Sequence, residues 1–499
     1  MEESIIVDST HGKIRGYRRR GVIKFKGIPY AAPPVGELRF KPPAPVKKWD
    51  GVFDATKYSP VSIQPESALE AQFGEPMPQS EADCLTLNIW TKSLNDDKRP
   101  VMFWIHGGGF ITGNGASLDG ARLVLRGDVV VVSINYRLGY LGFLYMPDMP
   151  DTTANAGLLD MVAALKWVKE NISKFGGDPN NVTIFGESAG GMAVSTLLAL
   201  PSAKGLFHRA IPQSGAANKF GYNPTSAINV YEELIQKLGV EKGDIEALRK
   251  IPAEKLIVPQ MDTTGFRASG LRVGPVIDKD SLPEHPLDAI SKGFAKDIEV
   301  FIGSNLDENK LFLMWNPKAF ELTEDGLYKT VNAIMRFIKQ KESKSKEIIE
   351  GYQKLRKTPR DIADAILTDY TFRIPSIRLA EEQSKYQKNI YMYLFTWQSP
   401  LGEGKYGAMH ALELPFVFGL FGDRDIGIFP RRTEETQRLS EKMMDAWIAF
   451  ARSGNPNHEN IPELASYDKE NRTTILFDKK VTIQKDPFGN ERVLWDGII

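Results

Sequence analysis

The sequence predicts an α/β fold in which a mostly parallel central sheet is flanked by helices. Two short segments, 101–105 and 129–134, are apolar apart from Ser133, as strands are when both faces of a sheet are covered. The segment 158–175 has apolar residues at helical spacing and ends at two glycines. Because such strands alternate with helices along the chain, we expect a single domain over residues 1–499.

The other predicted elements follow in chain order. Prolines in the segment 27–40 disfavour both helix and central strand, so a surface loop is expected there. Residues 61–80 are polar without a clear period, which predicts a long, lid-like loop. The Lys- and Glu-rich stretch from about 310 to 386 predicts a helical insertion. A helix is expected at 438–452, and further strands at 85–90, 299–302, 389–395 and 473–477.

Composition and charge narrow the classes of function. The 499 residues include 63 Lys plus Arg and 63 Asp plus Glu, so the formal net charge is zero. This balance gives no support for nucleic acid or an anionic membrane as a partner. No apolar run approaches the roughly 20 residues that span a bilayer. We therefore expect no nucleic-acid partner and no membrane span.

The N-terminus and the single cysteine predict a cytoplasmic protein. Residues 1–4 lack the basic and apolar regions of a secretory signal. Cys84 has no second cysteine with which to form an intrachain disulfide. Neither observation fixes the oligomeric state, for which both a monomer and a homodimer are considered.

One strand–turn–helix segment carries the first chemical signal. A β-branched strand at 182–185 leads into G-x-S-x-G at 186–190, and a small, apolar helix follows. This is the spacing of a nucleophile elbow, whose strained serine turn needs small neighbours. The G-x-S-x-G spacing by itself also occurs by chance in loops. The prediction that Ser188 is a nucleophile therefore depends on the strand before the spacing and the helix after it.

A glycine-rich loop is the candidate oxyanion hole. His106 and the glycines 107–109 directly follow the apolar strand at 101–105. Three glycines leave backbone N–H groups unobstructed, so that two of them can point at one oxygen, as in the HGGG loops of lipases and esterases. The alternative is a flexible glycine loop without chemistry, against which the preceding strand and the serine turn both argue.

His410 is the predicted general base. It follows the strand at 389–395 through a loop, where the active-site residues of an open α/β sheet collect. It also satisfies the Ser…acid…His chain order of hydrolases with an elbow. The other five histidines lie in turns, at a helix end, in the glycine loop or in polar segments: His11, His106, His208, His285 and His458.

The acid that orients this base must lie between Ser188 and His410. Asp307 and Glu308 directly follow the strand at 299–302, at its carboxyl end. On position alone these two residues are nearly equivalent, and solvated loop acids are the alternative.

Several blocks together resemble a known family. They are 25–31 with 38–40, 83–90, 135–139 and the run from 155 through 179 into the serine turn. In these blocks the chain resembles the type-B carboxylesterases, which share their fold with the cholinesterases, and is most similar to bacterial para-nitrobenzyl-esterase-like members. The resemblance covers nearly the whole chain. It implies the α/β-hydrolase fold, with insertions forming a lid over an active-site gorge.

The resemblance also implies roles for individual residues. Ser188 and His410 match the nucleophile and the base of the family. Glu308 rather than Asp307 matches the acid, although Asn309 stands where the family has glycine. The matched oxyanion-hole donors are Gly108, Gly109 and Ala189, and the matched groups that fix the serine turn and the base are Glu187 and Ser214. Apart from the resemblance, the side chains expected to line the pocket, for each of which a place in the core is the favoured alternative, are Phe110, Phe312, Leu313 and Phe416.

Two departures from the family pattern are informative. Secreted members pair the cysteine matching Cys84 with one about 20–30 residues upstream, where this chain has only Ser59 and Ser62. The cholinesterases place a tryptophan shortly before that cysteine to hold quaternary ammonium groups. Here the matching run 72–76 has no tryptophan, and Phe73 is a weak substitute. We therefore expect no disulfide and no preference for choline esters.

The expected function is that of a serine carboxylesterase without cofactor or metal ion. Its expected substrates are uncharged carboxylic esters with aryl or short-to-medium acyl groups, cleaved through an acyl-enzyme. An amidase or a carbamate hydrolase would use the same groups and differ only in its leaving group. A non-catalytic binding protein of the same fold is the alternative from another class, but such proteins typically lose the serine or its partners.

Overall fold

A computed structural model describes residues 3–68, 70–72, 74–149, 151–218, 222–257, 271, 273–314 and 317–499. Its central element is a sheet of 13 strands within these ranges. The strands are β1 (Glu3–Ser9), β2 (Gly12–Arg19), β3 (Val22–Pro29), β4 (Val52–Asp54), β5 (Thr86–Thr91), β6 (Arg99–Ile105), β7 (Val130–Ile134), β8 (Gly177–Glu187), β9 (Arg209–Gln213), β10 (Glu299–Asn305), β11 (Ile390–Phe395), β12 (Thr473–Phe477) and β13 (Thr482–Lys485).

The middle of the sheet is parallel and its flanks are antiparallel. The strand order is β1-β2-β3-β5-β7-β6-β8-β9-β10-β11-β12-β13, with β4 beside β2. The seven strands from β7 to β12 in this order are mutually parallel. The strands on either side of them pair antiparallel, except β4, which pairs parallel with β2. This arrangement confirms the predicted α/β class.

Helices cover the two faces of the sheet. They are α1 (Ala121–Gly127), α2 (Gly139–Phe143), α3 (Ala156–Asn171), α4 (Ala189–Leu197), α5 (Pro224–Leu238), α6 (Ile245–Lys250), α7 (Pro286–Ser291), α8 (Glu324–Phe337), α9 (Ser343–Gln353), α10 (Pro359–Thr368), α11 (Ile374–Gln383), α12 (Leu414–Phe418), α13 (Glu434–Ser453) and α14 (Gly489–Arg492). A π-helix, Asp369–Arg373, joins α10 to α11.

The apolar strands serve two separate cores. In β6, Phe103 and Ile105 belong to one buried cluster, whereas Met102 and Trp104 belong to the cluster on the opposite face. Successive side chains of a strand point to opposite faces, so a strand covered on both sides must be apolar at every position. The absence of alternation in this segment is thus a direct consequence of its central place in the sheet.

Three segments differ in detail from the sequence-based expectation. The helix expected at 438–452 is α13, which begins at Glu434 because Thr433 forms a capping box with Thr436 one turn earlier. The strand expected at 182–185 extends backward to Gly177 through polar residues that no apolar pattern marks. In the loop 61–80, whose residues 69 and 73 are not described, the structure shows a 3₁₀ turn at Glu70–Gln72.

Helices α8 to α11 occupy the stretch in which a helical insertion was expected. Within the described ranges, no helix combines the length and the apolar character that crossing a bilayer requires.

Candidate active site

Ser188 lies at the turn between β8 and α4, with φ +58° and ψ −124°. This backbone conformation is sparsely populated for a residue with a side chain. The backbone of β6 passes so close that a Cβ at Gly186 would lie 2.6 Å from the Ile105 carbonyl oxygen, and a Cβ at Gly190 would lie 2.1 Å from it. Both glycines of the G-x-S-x-G pattern are therefore required by this close approach.

The glycine loop passes directly beside the serine. A Cβ at Gly107 would lie 3.1 Å from the Ser188 Cβ. Gly108 and Gly109 adopt φ values of +98° and +64°, which favour glycine. Within the described part of the chain, the N–H groups of Gly108, Gly109 and Ala189 donate no hydrogen bond. Three unengaged donors thus lie on residues that flank or adjoin Ser188.

His106 and Tyr136 hold the glycine loop in place. The two rings stack with centroids 4.4 Å apart, and the Tyr136 hydroxyl donates to the His106 carbonyl oxygen at 2.9 Å. Burial lowers the pKa of His106 to about 4, so this imidazole is neutral at physiological pH. His106 is therefore a structural part of the loop and carries no charge into the site.

His410 and Glu308 form a buried pair. The His410 Nδ1 lies 2.5 Å from the Glu308 Oε2, and the Glu308 Oε1 accepts from the Asn305 N–H at 2.7 Å. Asp307 faces elsewhere: it pairs with Lys310 at 2.9 Å and accepts from the Ala408 N–H. The structure therefore separates two acids that the sequence left nearly equivalent.

Asn309, where the resemblance expects glycine, connects the acid loop to the helical insertion. Its Nδ2 donates to the Asp364 Oδ1 of α10 at 2.6 Å, and its N–H donates to the Thr368 hydroxyl at 3.3 Å. The substitution leaves the Glu308 carboxylate on His410.

The second nitrogen of His410 faces the residue before the serine. Its Nε2 lies 3.0 Å from the Glu187 Oε1, yet neither atom has a hydrogen-bond partner among the described residues. No hydrogen bond joins Nε2 to the Ser188 hydroxyl. Without substrate, catalytic hydrogen bonds are commonly long or poorly aligned. Nε2 is thus not engaged in a hydrogen bond with any described residue and faces the residue that precedes Ser188.

Buried carboxylates control the protonation of His410. Burial by itself lowers its pKa, but the charges of Glu187 and Glu308 outweigh this effect and raise the pKa to about 9. Burial raises the pKa of Glu187 well above its usual value, and the charges of Glu413, Glu308 and Glu70 raise it further, against the opposing effect of His410. Glu187 and His410 therefore titrate as a coupled pair.

Two residues that the sequence analysis missed belong to this centre. Glu413 is fully buried and accepts from the Gln213 Nε2 at 3.1 Å and from the Asn305 Nδ2 at 2.7 Å. Burial, followed by the charge of Glu308, raises its pKa to about 7. The Phe372 ring of the π-helix lies 4.7 Å from the His410 ring. In the sequence, Glu413 could have been found from its position three residues after His410, whereas no pattern marked Phe372.

Of the four residues predicted to line the pocket, one lies beside the base and the other three are buried. The Phe312 ring lies 5.5 Å from the His410 ring. Phe110, Leu313 and Phe416 are buried, and core packing accounts for Phe110, against Phe143, and for Phe416, against Trp397.

Three further observations complete the site. Ser214 has a buried hydroxyl without a hydrogen-bond partner among the described residues. Within the same ranges, no group of three or more His, Cys, Asp or Glu is arranged to hold a metal ion. Phe73, considered above as a substitute for tryptophan, lies outside the described residues.

A mostly parallel sheet with a serine at the β8–α4 turn, and with a His–Glu pair after later strands, defines an α/β-hydrolase. The family model described as the carboxylesterase family matches residues 3–495. The chain belongs to this family and is a carboxylic-ester hydrolase.

Relatives and solved structures agree over almost the full length. The para-nitrobenzyl esterase of Bacillus subtilis is 39% identical, over 98% of this chain and 97% of that protein. The phenmedipham hydrolase of Pseudarthrobacter oxydans is 34% identical, over 96% and 97%. The carboxylesterase EST55 of Geobacillus stearothermophilus superposes with a TM-score of 0.87 at 39% identity, over 98% of this chain and 99% of that one. The chain is thus similar to whole esterases rather than to a part of one.

Proposed function

We propose that Ser188, His410 and Glu308 are the catalytic triad of this serine carboxylesterase. The observation that carries the proposal is the buried 2.5 Å contact between the His410 Nδ1 and Glu308, while Nε2 lies 3.0 Å from the Glu187 Oε1, on the residue before Ser188. A carboxylate on Nδ1 fixes the tautomer in which Nε2 accepts a proton. It also stabilises the imidazolium that forms when the serine is deprotonated.

In the first half-reaction, the Ser188 Oγ attacks the ester carbonyl carbon while its proton passes to the His410 Nε2. The carbonyl oxygen becomes an oxyanion, for which the N–H groups of Gly108, Gly109 and Ala189 are the proposed donors. Each such donor is typically worth about 3 kcal/mol of transition-state stabilisation. His410 then protonates the leaving alcohol, the C–O bond breaks, and the acyl group remains on Ser188.

In the second half-reaction, water replaces the alcohol. His410 takes a proton from water, whose oxygen attacks the acyl carbon, and the tetrahedral intermediate occupies the same N–H groups. Collapse returns the proton to Ser188 and releases the carboxylic acid.

The proposed substrates are uncharged esters with aryl or short-to-medium acyl groups. The rings of Phe312 and Phe372 against His410 support this class, because they present apolar surface next to the reacting atoms. The para-nitrobenzyl esterase of Bacillus subtilis, by its name, acts on an aryl-bearing ester.

The test is hydrolysis of para-nitrophenyl butyrate by the wild type, Ser188→Ala and Ser195→Ala. Ser195 is the matched control, because its hydroxyl lies on the same helix and donates to the Gly215 carbonyl oxygen. We expect activity to fall by about 10⁶ in Ser188→Ala and to persist in Ser195→Ala. Activity in a folded Ser188→Ala variant would overturn the assignment of the nucleophile.

We further propose one domain over residues 1–499, in which the loop 61–80 and the insertion 310–386 cover the site. Contact of Phe372 with His410 supports this role for the insertion. A single unfolding transition, with first proteolytic cuts inside these segments, is the expected result.

A cytoplasmic location is also proposed, together with a monomeric or homodimeric state. The Cys84 thiol is buried, and burial raises its pKa to about 12, so it stays protonated and unreactive. A single unreactive thiol supports a location in which disulfides are not formed. Cell fractionation tests the location, and light scattering coupled to size exclusion tests the oligomeric state.

A further inference from the structure

One turn of the helical insertion carries two neighbouring side chains that face different parts of the protein. In the π-helix Asp369–Arg373, the Phe372 ring lies 4.7 Å from the His410 ring. The guanidinium of Arg373, the next residue, is bonded instead to the segment 486–495, which contains α14 (the α14 segment). This turn therefore connects the proposed base to a part of the chain that the proposed mechanism does not use.

Arg373 holds the turn through three hydrogen bonds. Its Nε and Nη2 donate to the Asp369 Oδ1 and Oδ2 at 2.6 and 2.7 Å, so two residues of one turn share a bidentate contact. Its Nη1 donates to the Pro487 carbonyl oxygen of the α14 segment at 3.0 Å. The side chains of Arg373 and Asp369 are 7% and 5% exposed, so little water competes for these bonds. One planar guanidinium thus closes the turn and fixes it to the α14 segment.

A second chain of hydrogen bonds holds the same carboxylate. The Tyr352 hydroxyl of α9 donates to the Asp369 Oδ2, and the Trp495 Nε1 of the α14 segment donates to the Tyr352 hydroxyl oxygen at 2.8 Å. The rings of Tyr370 and Trp495 stack with centroids 6.0 Å apart. Tyr352 and Trp495 are both fully buried. The turn that carries Phe372 is therefore held by the α14 segment at two places.

The charges between the π-helix and the α14 segment form a balanced cluster. Glu491 of α14 is buried and pairs with Arg356, as Asp369 pairs with Arg373. The Phe488 ring lies 5.8 Å from the guanidinium of Arg356 and 5.7 Å from that of Arg373. In a buried ion pair, the cost of removing both charges from water offsets most of their attraction. A gain in stability alone therefore does not account for this cluster, and a fixed position of the turn is the remaining effect of its bonds.

The position of the turn matters to the reaction because of Phe372. Glu308 is bonded to the His410 Nδ1 at 2.5 Å, and the Phe372 ring packs beside the imidazole with an interplanar angle of 38°. While the proton moves, Nε2 must stay aligned with the serine hydroxyl and then with the leaving oxygen. A displacement of the turn moves Phe372 and gives the imidazole room to tilt about its bond with Glu308.

We propose that Arg373 is a positioning residue for the esterase reaction. It anchors the π-helix to the α14 segment and thereby keeps Phe372 against His410 in the orientation that proton transfer requires. This inference rests on the proposed function, in which His410 moves the proton.

The experiment is a double-mutant cycle between Arg373→Lys and Phe372→Leu. Lysine keeps the positive charge but cannot form the bidentate contact with Asp369. Values of kcat and KM for para-nitrophenyl butyrate are measured for the wild type, both single variants and the double variant, and the concentration of active sites is obtained by titration with a fluorophosphonate. This titration excludes unfolded protein, so a loss of stability alone leaves kcat per active site unchanged.

We expect kcat to fall roughly fivefold in Arg373→Lys, with a smaller change in KM. This loss should not exceed that of Phe372→Leu, because it is transmitted through the Phe372 ring. In the Phe372→Leu background, Arg373→Lys should lower kcat by less than about twofold, since the ring is absent.

Arg378→Lys is the matched control. Arg378 of α11 also connects the insertion to residues near α14, because its Nη2 donates to the Asp496 Oδ1 at 2.6 Å and its Nε to the Ile499 carbonyl oxygen at 3.1 Å. It lies outside the turn that carries Phe372, so its replacement should leave kcat per active site as in the wild type.

Tyr352→Phe is a milder variant, which keeps the test valid if Arg373→Lys does not fold. It removes the hydroxyl that connects Asp369 to Trp495. We expect kcat to fall by about twofold, and this loss should also disappear in the Phe372→Leu background.

The possible failures are distinguishable. The inference is overturned, and the esterase function stands, if Arg373→Lys leaves kcat unchanged or lowers it equally with and without the Phe372 ring. An equal loss in Arg378→Lys has the same meaning. If a folded wild-type protein does not cleave the ester, the proposed function fails together with the inference.

Discussion

Three buried carboxyl groups surround one imidazole in this protein, and each one has a different relation to it. Glu308 is bonded to Nδ1, Glu187 faces Nε2, and Glu413 reaches the centre through Asn305. Opposite charges that are withdrawn from water interact strongly, so the protonation of His410 depends on all three. The chemistry of the site is therefore set at the level of single side chains.

The first prediction concerns the acid. Glu308→Gln keeps the size of the side chain but removes the charge that stabilises the imidazolium, so kcat/KM should fall by roughly 10⁴. Asp307→Asn is the matched control, because Asp307 pairs with Lys310 and does not contact His410. Steady-state kinetics with para-nitrophenyl butyrate measure both variants. An equal loss in the two variants would contradict the distinction between these acids.

The second prediction concerns pH. The reaction requires neutral His410, so kcat/KM rises as the pH increases toward the pKa of this residue, which the charge of Glu187 helps to raise to about 9. In Glu187→Gln that charge is absent, the pKa of His410 decreases, and the acid limb of the pH profile moves to lower pH. A profile of Glu187→Gln that coincides with the wild type, or moves to higher pH, would contradict this account.

The resemblance and the chain order indicated Ser188, His410 and Glu308, because these positions follow strands and obey a fixed spacing. The sequence could not indicate Phe372 in the same way. Phe372 lies against His410 only because of the path that the insertion takes through the fold. Contacts between segments far apart in the chain depend on tertiary packing, which local periodicity does not contain.

At the scale of elements, the π-helix Asp369–Arg373 is the part of the insertion that approaches the site. π-helical turns interrupt α-helices and are frequent at functional sites. This turn brings Phe372 against His410, while Arg373 is bonded to Asp369 at 2.6 Å within the same turn. The insertion thus packs against one side of the His410 imidazole.

The third prediction follows from this contact. Phe372→Leu removes the aromatic surface that restricts the His410 ring, so kcat should fall roughly tenfold with a smaller change in KM, since the loss is one of alignment. Phe320→Leu is the control, because Phe320 belongs to the same insertion and packs on Tyr406 instead. Equal kinetic effects of the two substitutions would indicate a general loss of packing rather than positioning of His410.

At the scale of the whole molecule, the site lies at the edge of the sheet where the parallel strands end. Ser188 follows β8, Glu308 follows β10, and His410 comes after β11, and all three strands run in the same direction within one sheet. Their carboxyl ends therefore meet at one edge, as in other open α/β sheets. Helix α13 packs on the face of the sheet that holds Trp104, and it also contacts this edge. Its Trp447 Nε1 donates to the Oε1 of Gln213, the last residue of β9, at 3.0 Å.

In the proposed reaction Ser188 carries the acyl group, and the mass of the protein after reaction with a fluorophosphonate tests this role most directly. This reagent forms a stable bond with an activated serine and stops at that stage. We expect one adduct per chain, located by peptide mapping on the peptide that contains Ser188, and no adduct in Ser188→Ala. An adduct on a different residue, or esterase activity that persists in fully treated protein, would contradict the account.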